Sequence, residues 1–175
     1  MKILPIENIT LVSNLRKEEL LAILSENLQK KRGLRFGFTQ PKNQKLFEGY
    51  LYNDSFEIQR VINYRNSFLP QISGKISTRL DKARIELKLK PHSFVLVFIS
   101  LWLGGVGLGL IGSLIGIFTQ GVNPLACLPL IVMFGFGIGL TNFGFKTESK
   151  KAKNDLTKIF KARIEEKTFT NNTYK

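Results

Sequence analysis

What the chain lacks narrows it quickly. It holds one cysteine, Cys127, so no disulfide can form within it. It holds one histidine, His92, and three aspartates, Asp54, Asp81 and Asp155. A metal site takes three or four ligands, and a lone histidine without clustered Cys, Asp or Glu does not supply them. No Ser/His/Asp or Cys/His pattern recruits His92 either, so catalysis is disfavoured and no cofactor is expected. The opening Met1-Lys2-Ile3-Leu4-Pro5-Ile6-Glu7 meets Pro and Glu too early to build the apolar core of a signal peptide. The most informative absence is of charge. From Ser93 to Phe145, 53 residues, there is no Asp, Glu, Lys or Arg.

That gap changes how the averages read. A net charge of +13 and a mean hydropathy of +0.00 describe an ordinary basic soluble domain. The two numbers instead mix a neutral apolar segment with a highly charged remainder. A membrane-spanning helix needs about 20 apolar residues at 1.5 Å each, so the uncharged run suits two spans. Gln120-Gly121-Val122-Asn123-Pro124 supplies a turn where two spans need one. The spans are then Phe94–Thr119 and Leu125–Phe145, roughly 39 Å and 31 Å long as helices. The first exceeds a hydrocarbon core of roughly 30 Å, so tilt or an overhang is expected.

Flanking charge gives an orientation. Arg79, Lys82, Arg84, Lys88 and Lys90 precede the first span. Lys146, Lys150, Lys151, Lys153, Lys158, Lys161 and Arg163 follow the second, and the connecting turn has none. The positive-inside rule places both termini in the cytoplasm and the turn outside. With no signal peptide expected, the hairpin itself directs insertion.

The remaining chain reads as a small α+β domain. Asn8–Ser13 predicts a strand and Leu15–Leu28 a helix carrying Leu20, Leu21, Leu24 and Leu28, capped by Ser13 or Asn14. From Leu34 the period becomes two. Strands are expected around Phe36 and Phe38, then over Gln44–Leu51, Ser55–Tyr64, Gln71–Ser77 and Ala83–Lys90. Short links make these an antiparallel meander with one covered face. Ser149–Glu166 predicts a separate basic amphipathic helix, closing on the sheet through Leu156, Ile159 and Phe160. The organisation is thus a strand-helix-meander domain over 1–92, a transmembrane hairpin over 93–145, and a basic helix and tail over 146–175.

Several patterns are candidates for function. Gly105, Gly109, Gly112 and Gly116 share one helical face, as do Gly135, Gly139 and Asn142 on the second span. Missing side chains let backbones approach, so these stripes are expected to pack on each other within the hairpin, with homo-oligomer packing as the alternative. Gly107-Leu108-Gly109-Leu110-Ile111-Gly112 matches a dinucleotide fingerprint by spacing alone and lacks the acidic residue that a ribose needs. Asn8-Ile9-Thr10, Asn53-Asp54-Ser55 and Asn171-Asn172-Thr173 match glycosylation triplets on the side expected to be cytoplasmic, where chance is the better reading. Arg60, Arg65 and Asn66, near the dense segment Tyr64–Pro70, are candidate contacts for an anionic headgroup. So are Lys150, Lys151 and Lys153 beside the second span. Nucleic acid is not expected as a partner, because the aromatics fall at core spacing and topology already explains the charge.

Phe47-Glu48-Gly49, Phe56–Arg60, Tyr64-Arg65-Asn66-Ser67-Phe68-Leu69-Pro70 and Ile72-Ser73-Gly74, followed by a span containing a tryptophan, resemble a group of small two-span bacterial membrane proteins. The resemblance covers roughly residues 45–105. It implies a bacterial inner-membrane protein and assigns no activity, so it transfers no functional residue. The element order also looks like a helix-grip domain, with a pleckstrin-homology-like sheet as the competing likeness. Three functions follow as expectations. The first is a non-catalytic scaffold or accessory subunit, partnered by anionic lipids and by a membrane protein or a second copy. The second is a lipid-binding domain with a hollow interior, and the third is an enzyme.

Overall fold

The computed structural model describes residues 5–31, 45–64, 66–79 and 82–165. The expected strand around Phe36 and Phe38 lies outside the described residues. Seven strands form one sheet: β1 Glu7–Ser13, β2 Leu28–Lys30, β3 Phe47–Tyr52, β4 Ser55–Arg60, β5 Gln71–Arg79, β6 Lys82–Lys90 and β7 Ala162–Glu165. Three helices accompany them: α1 Lys17–Asn27, α2 Ser93–Gln120 and α3 Cys127–Ile159. The architecture is α+β, and two of the helices, α2 and α3, are long and apolar enough to cross a membrane.

The strand order is β2-β3-β4-β5-β6-β1-β7. β3 to β6 form the expected antiparallel meander. The sheet as a whole is mixed, which corrects the all-antiparallel expectation. β2 continues from the end of α1 and pairs parallel with β3, Leu28 opposite Phe47. That arrangement was hidden because Leu28-Gln29-Lys30 reads as the last turn of a helix.

Alternation sorts the two faces of the sheet. On β6, Ala83, Ile85, Leu87 and Leu89 are buried and the residues between them face the other way. Register aligns them with Leu11 on β1 and with Ile72 and Ile76 on β5. On β4, Phe56 and Ile58 extend the same face. The ring of Phe56 lies across Gly74 opposite it, where any side chain would collide. Leu20 and Leu24 of α1 and Phe145, Ala152 and Leu156 of α3 close this face, together with Phe160 just past the end of α3, and all six are fully buried. α1 begins at Lys17 with Arg16 in the capping position, not with a Ser13 or Asn14 cap. The Glu19 carboxylate reaches back to accept from the Arg16 backbone N–H at 3.2 Å.

The main departure from expectation is α3. The basic helix expected to start separately at Ser149 is the continuation of the second apolar span, and the two form one 33-residue rod. Between Gly144 and Ile159 there is neither proline nor glycine. The onset of charge at Lys146 therefore changes the surroundings and leaves the backbone uninterrupted. The stripe Leu156, Ile159, Phe160 does pack on the sheet core. The rod ends earlier than expected, because Lys161 adopts φ 45° and turns the chain into β7 beside β1.

One face of α3 is less exposed along its whole length. It runs through Cys127, Leu130, Phe134, Gly137, Thr141 and Phe145, then Glu148, Ala152 and Leu156. Its first half meets α2 along Ile99, Leu103, Val106, Leu110, Ser113 and Ile117, in alternating steps of three and four. The turn between the helices matches expectation. Gly121 caps α2 at φ 67°, and the Asn123 side chain accepts from the Leu125 N–H at 2.9 Å.

Candidate functional site

Two of the four buried polar side chains among the described residues, Glu148 and Ser149, lie where α3 leaves its apolar stretch and meets the sheet. Glu148 lies three residues beyond Phe145, on the buried stripe, and is 2% exposed. An ionised carboxylate there needs partners. Arg60, the last residue of β4, projects from the covered face in register with Phe47. Its Nη1 lies 3.2 Å from Glu148 Oε2 and its Nε 2.7 Å from Asp155 Oδ2. The Tyr64 hydroxyl donates to Glu148 Oε1 at 2.5 Å, and Lys151 Nζ donates to the same oxygen at 2.9 Å. Lys151 also lies 5.4 Å from the centre of the Tyr64 ring.

The balance of these contacts sets the protonation state. Burial pushes the Glu148 carboxyl up, but the Tyr64 and Lys151 hydrogen bonds and the Lys151 and Arg60 charges outweigh it. The group stands below the ordinary carboxylate value. Hydrogen bonding to Glu148, and then to Tyr64, raises Lys151 above the ordinary lysine value.

A second polar contact holds the other side of the rod. Ser149 Oγ donates to Glu7 Oε2 at 2.8 Å, and Lys153 Nζ lies 2.7 Å from the same atom. Glu148 thus reaches β4, while Ser149 and Lys153 reach β1. In the sheet those strands are separated by β5 and β6. The end of the rod is tied as well, because Ser13 Oγ on β1 donates to the Phe160 carbonyl at 2.7 Å. That bond satisfies one of the carbonyls that a helix end leaves open.

The loop after β4 completes the junction. Asn66 Oδ1 accepts from the Phe68 N–H at 2.9 Å, a local turn that presents the Phe68 ring to α3. Gly144 receives it: a Cβ there would stand 2.8 Å from Phe68 Cδ2.

Of the residues nominated from sequence, the structure brings Arg60 and Lys151 together on Glu148. Lys153 goes to Glu7, and Asn66 serves its own loop. Lys150 is exposed, and Arg65 lies outside the described residues. The two small-residue stripes do not face each other. Gly105, Gly112, Gly135 and Gly139 have open space where a side chain would stand. A Cβ on Gly109 would stand 3.6 Å from a Leu130 methyl, and one on Gly116 3.3 Å from a Val122 methyl. Gly105, Gly109, Gly112 and Gly116 each precede a seam residue by one position, about 100° around the helix. Asn142 Nδ2 donates back to the Ile138 carbonyl at 2.9 Å.

Glu148, Tyr64, Glu7, Ser149 and Phe68 were missed as site residues. One signal was present: Glu148 is an acid on a stripe of buried residues, Phe145, Ala152 and Leu156, at helical spacing.

Compared with known protein families, curated proteins and solved structures, the chain matches none. The junction therefore stands on its own geometry. Chemically it is a closed ion-pair network, with its acids and bases paired to one another inside the chain.

Proposed function

We propose that the chain is a non-catalytic integral membrane protein that holds a small sheet domain rigidly against the bilayer, as a scaffold or accessory subunit. The observation that carries this reading is the continuity of α3. One helix runs from bare apolar surface into the core of the sheet, and the Glu148 network fixes it there. Only 11% of the α2 apolar window and 17% of the α3 window are buried within the protein. Such faces need a hydrocarbon solvent or a partner.

In this reading both termini and the sheet lie on the cytoplasmic side of a bacterial inner membrane, with the turn at Gly121 outside. The charge asymmetry supports that orientation. Lys90, Lys146 and Lys150 lie close to where the chain meets the apolar slab, and anionic lipids are the partners they fit, at about 1 kcal/mol per cation. The outward glycines offer a close-packing face to another membrane helix, from a partner or a second copy. The element order supports a helix-grip-like domain. Its interior is filled, however, with Leu11, Phe47, Phe56, Ile72, Ile85 and Leu89 each at most 1% exposed. A scaffold needs that solidity, whereas a lipid carrier needs a hollow.

The test is extraction from membranes followed by native mass in a mild detergent. The reading expects retention in the membrane pellet at alkaline pH and a detergent-solubilised species holding a second polypeptide in fixed ratio. Release by alkaline carbonate, or a bare 19.9 kDa chain in every mild detergent, would overturn it.

A further inference from the structure

The face of the sheet that the helices leave open carries a trough of about 500 Å³ across β1, β6 and β5. That volume lies within the range of small-ligand sites. Its polar lining is Asn8, Thr10, Ser73, Lys75, Arg84 and Lys88, with Glu86 as its acid. Register sets these groups side by side. Asn8, Lys88 and Ser73 form one cross-strand row, and Thr10, Glu86 and Lys75 the next. Lys75 and Lys88 are diagonal neighbours, about 7–8 Å apart at the backbone and able to converge on one group.

The charges in the trough are unevenly matched. Arg84 engages both carboxylates near it, Glu86 at 3.6 Å and Glu165 at 3.2 Å. Its Nε is shut off from solvent without a hydrogen-bond partner. Lys75 and Lys88 have no carboxylate within ion-pair distance among the described residues. Two free ammonium groups beside a serine hydroxyl, a threonine hydroxyl and an asparagine amide are the donors that an oxyanion takes. Glu86 stands opposite Lys75 and two residues before Lys88, but its carboxylate lies 3.6 Å from Arg84 and within ion-pair distance of neither lysine, which leaves both ammonium groups available to an added anion.

We propose that this trough binds a phosphate group, with Lys75 and Lys88 as the charged ligands and Ser73, Thr10 and Asn8 as hydrogen-bonding partners. Two sources carry that chemistry. Lys88 lies five residues before Ser93, no more than about 17 Å along an extended chain, so a lipid headgroup at the bilayer surface is within range. The other source is a soluble phosphate compound. The site is separate from the Glu148 junction, which occupies the opposite face of the sheet; its headgroup source rests on the anchoring reading, and its soluble source does not.

The experiment uses the full chain in nanodiscs of phosphatidylcholine, titrated with inorganic phosphate and followed by amide chemical shifts on β1, β5 and β6. A parallel sample has one fifth of the lipid replaced by phosphatidylglycerol. Saturable shifts with inorganic phosphate identify a soluble ligand, and shifts on the same strands with phosphatidylglycerol alone identify a headgroup. In either case Lys75→Gln/Lys88→Gln should weaken the response at least tenfold, while Lys158→Gln leaves it unchanged. No response in either arm, or an undiminished response in the double variant, overturns the proposal.

Discussion

Arg60 Nη1 stands 3.2 Å from Glu148 Oε2, tying the end of β4 to the point where α3 emerges from its apolar stretch. Both side chains are largely withdrawn from water, at 18% and 3% exposure. Removing one partner of such a pair leaves the other charge uncompensated in a poorly solvated place. Arg60→Ala is expected to destabilise the sheet domain by about 2–4 kcal/mol, since Tyr64 and Lys151 still hold Glu148. Denaturant melting in detergent micelles checks this. Arg60→Ala combined with Glu148→Gln should cost less than the sum of the two single changes.

The Phe68 ring fills the notch at Gly144. The atoms that a new Cβ would meet lie at the root of the ring, where rotation gives little relief. Gly144→Ala is expected to cost about 1–3 kcal/mol through overpacking. Gly112→Ala, with nothing within 4 Å, should not lower the melting temperature of the isolated chain, because Ala favours a helix interior over Gly. Thermal melts of the two variants side by side distinguish a packed glycine from an outward one.

The pH response follows from two shifts. Glu148 lies below its ordinary value of 4.5 when folded, so its contribution is present above that value and is lost as pH falls through the lower folded value. Lys151 lies above 10.5 when folded, so its contribution is full below that value and is lost as pH rises through the higher folded value. Junction stability should therefore be flat across neutral pH and fall in acid below 4.5. Amide exchange of residues 145–156 between pH 3 and 8 measures it, and Glu148→Gln should flatten the acid limb.

Ser13 is buried and donates to the carbonyl of Phe160. Ser13→Ala removes that donor and leaves the carbonyl at the end of the rod short of a partner. The expected loss is about 1–2 kcal/mol, with faster amide exchange in β7 as its local signature. An unchanged β7 would mean that pairing with β1 alone holds the strand.

Much of the architecture was legible because it is periodic. Alternation on Ala83–Lys90 located β6 and its covered face. The uncharged run and Gly121 located α2, the turn and the start of α3 to within a residue or two. The continuity of α3 was not legible, because charge begins at Lys146 and a composition boundary resembles a structural one. Arg60 shares a face with Phe56 and Ile58, yet its partners, Glu148 and Asp155, lie about ninety residues away and share no pattern with it. The outward turn of the glycine stripe depends on a rotation of about 100°, which helical spacing alone does not supply.

The central claim is that the apolar span and the sheet-packing helix are one rigid rod. It is tested most directly by a spin-label distance between positions 128 and 158 on α3, with Cys127 replaced by Ser and the chain in lipid nanodiscs. A continuous helix places these backbones about 45 Å apart, with a narrow distribution. A broad distribution, or one centred well below that length, would show a hinge between span and sheet and contradict the rod.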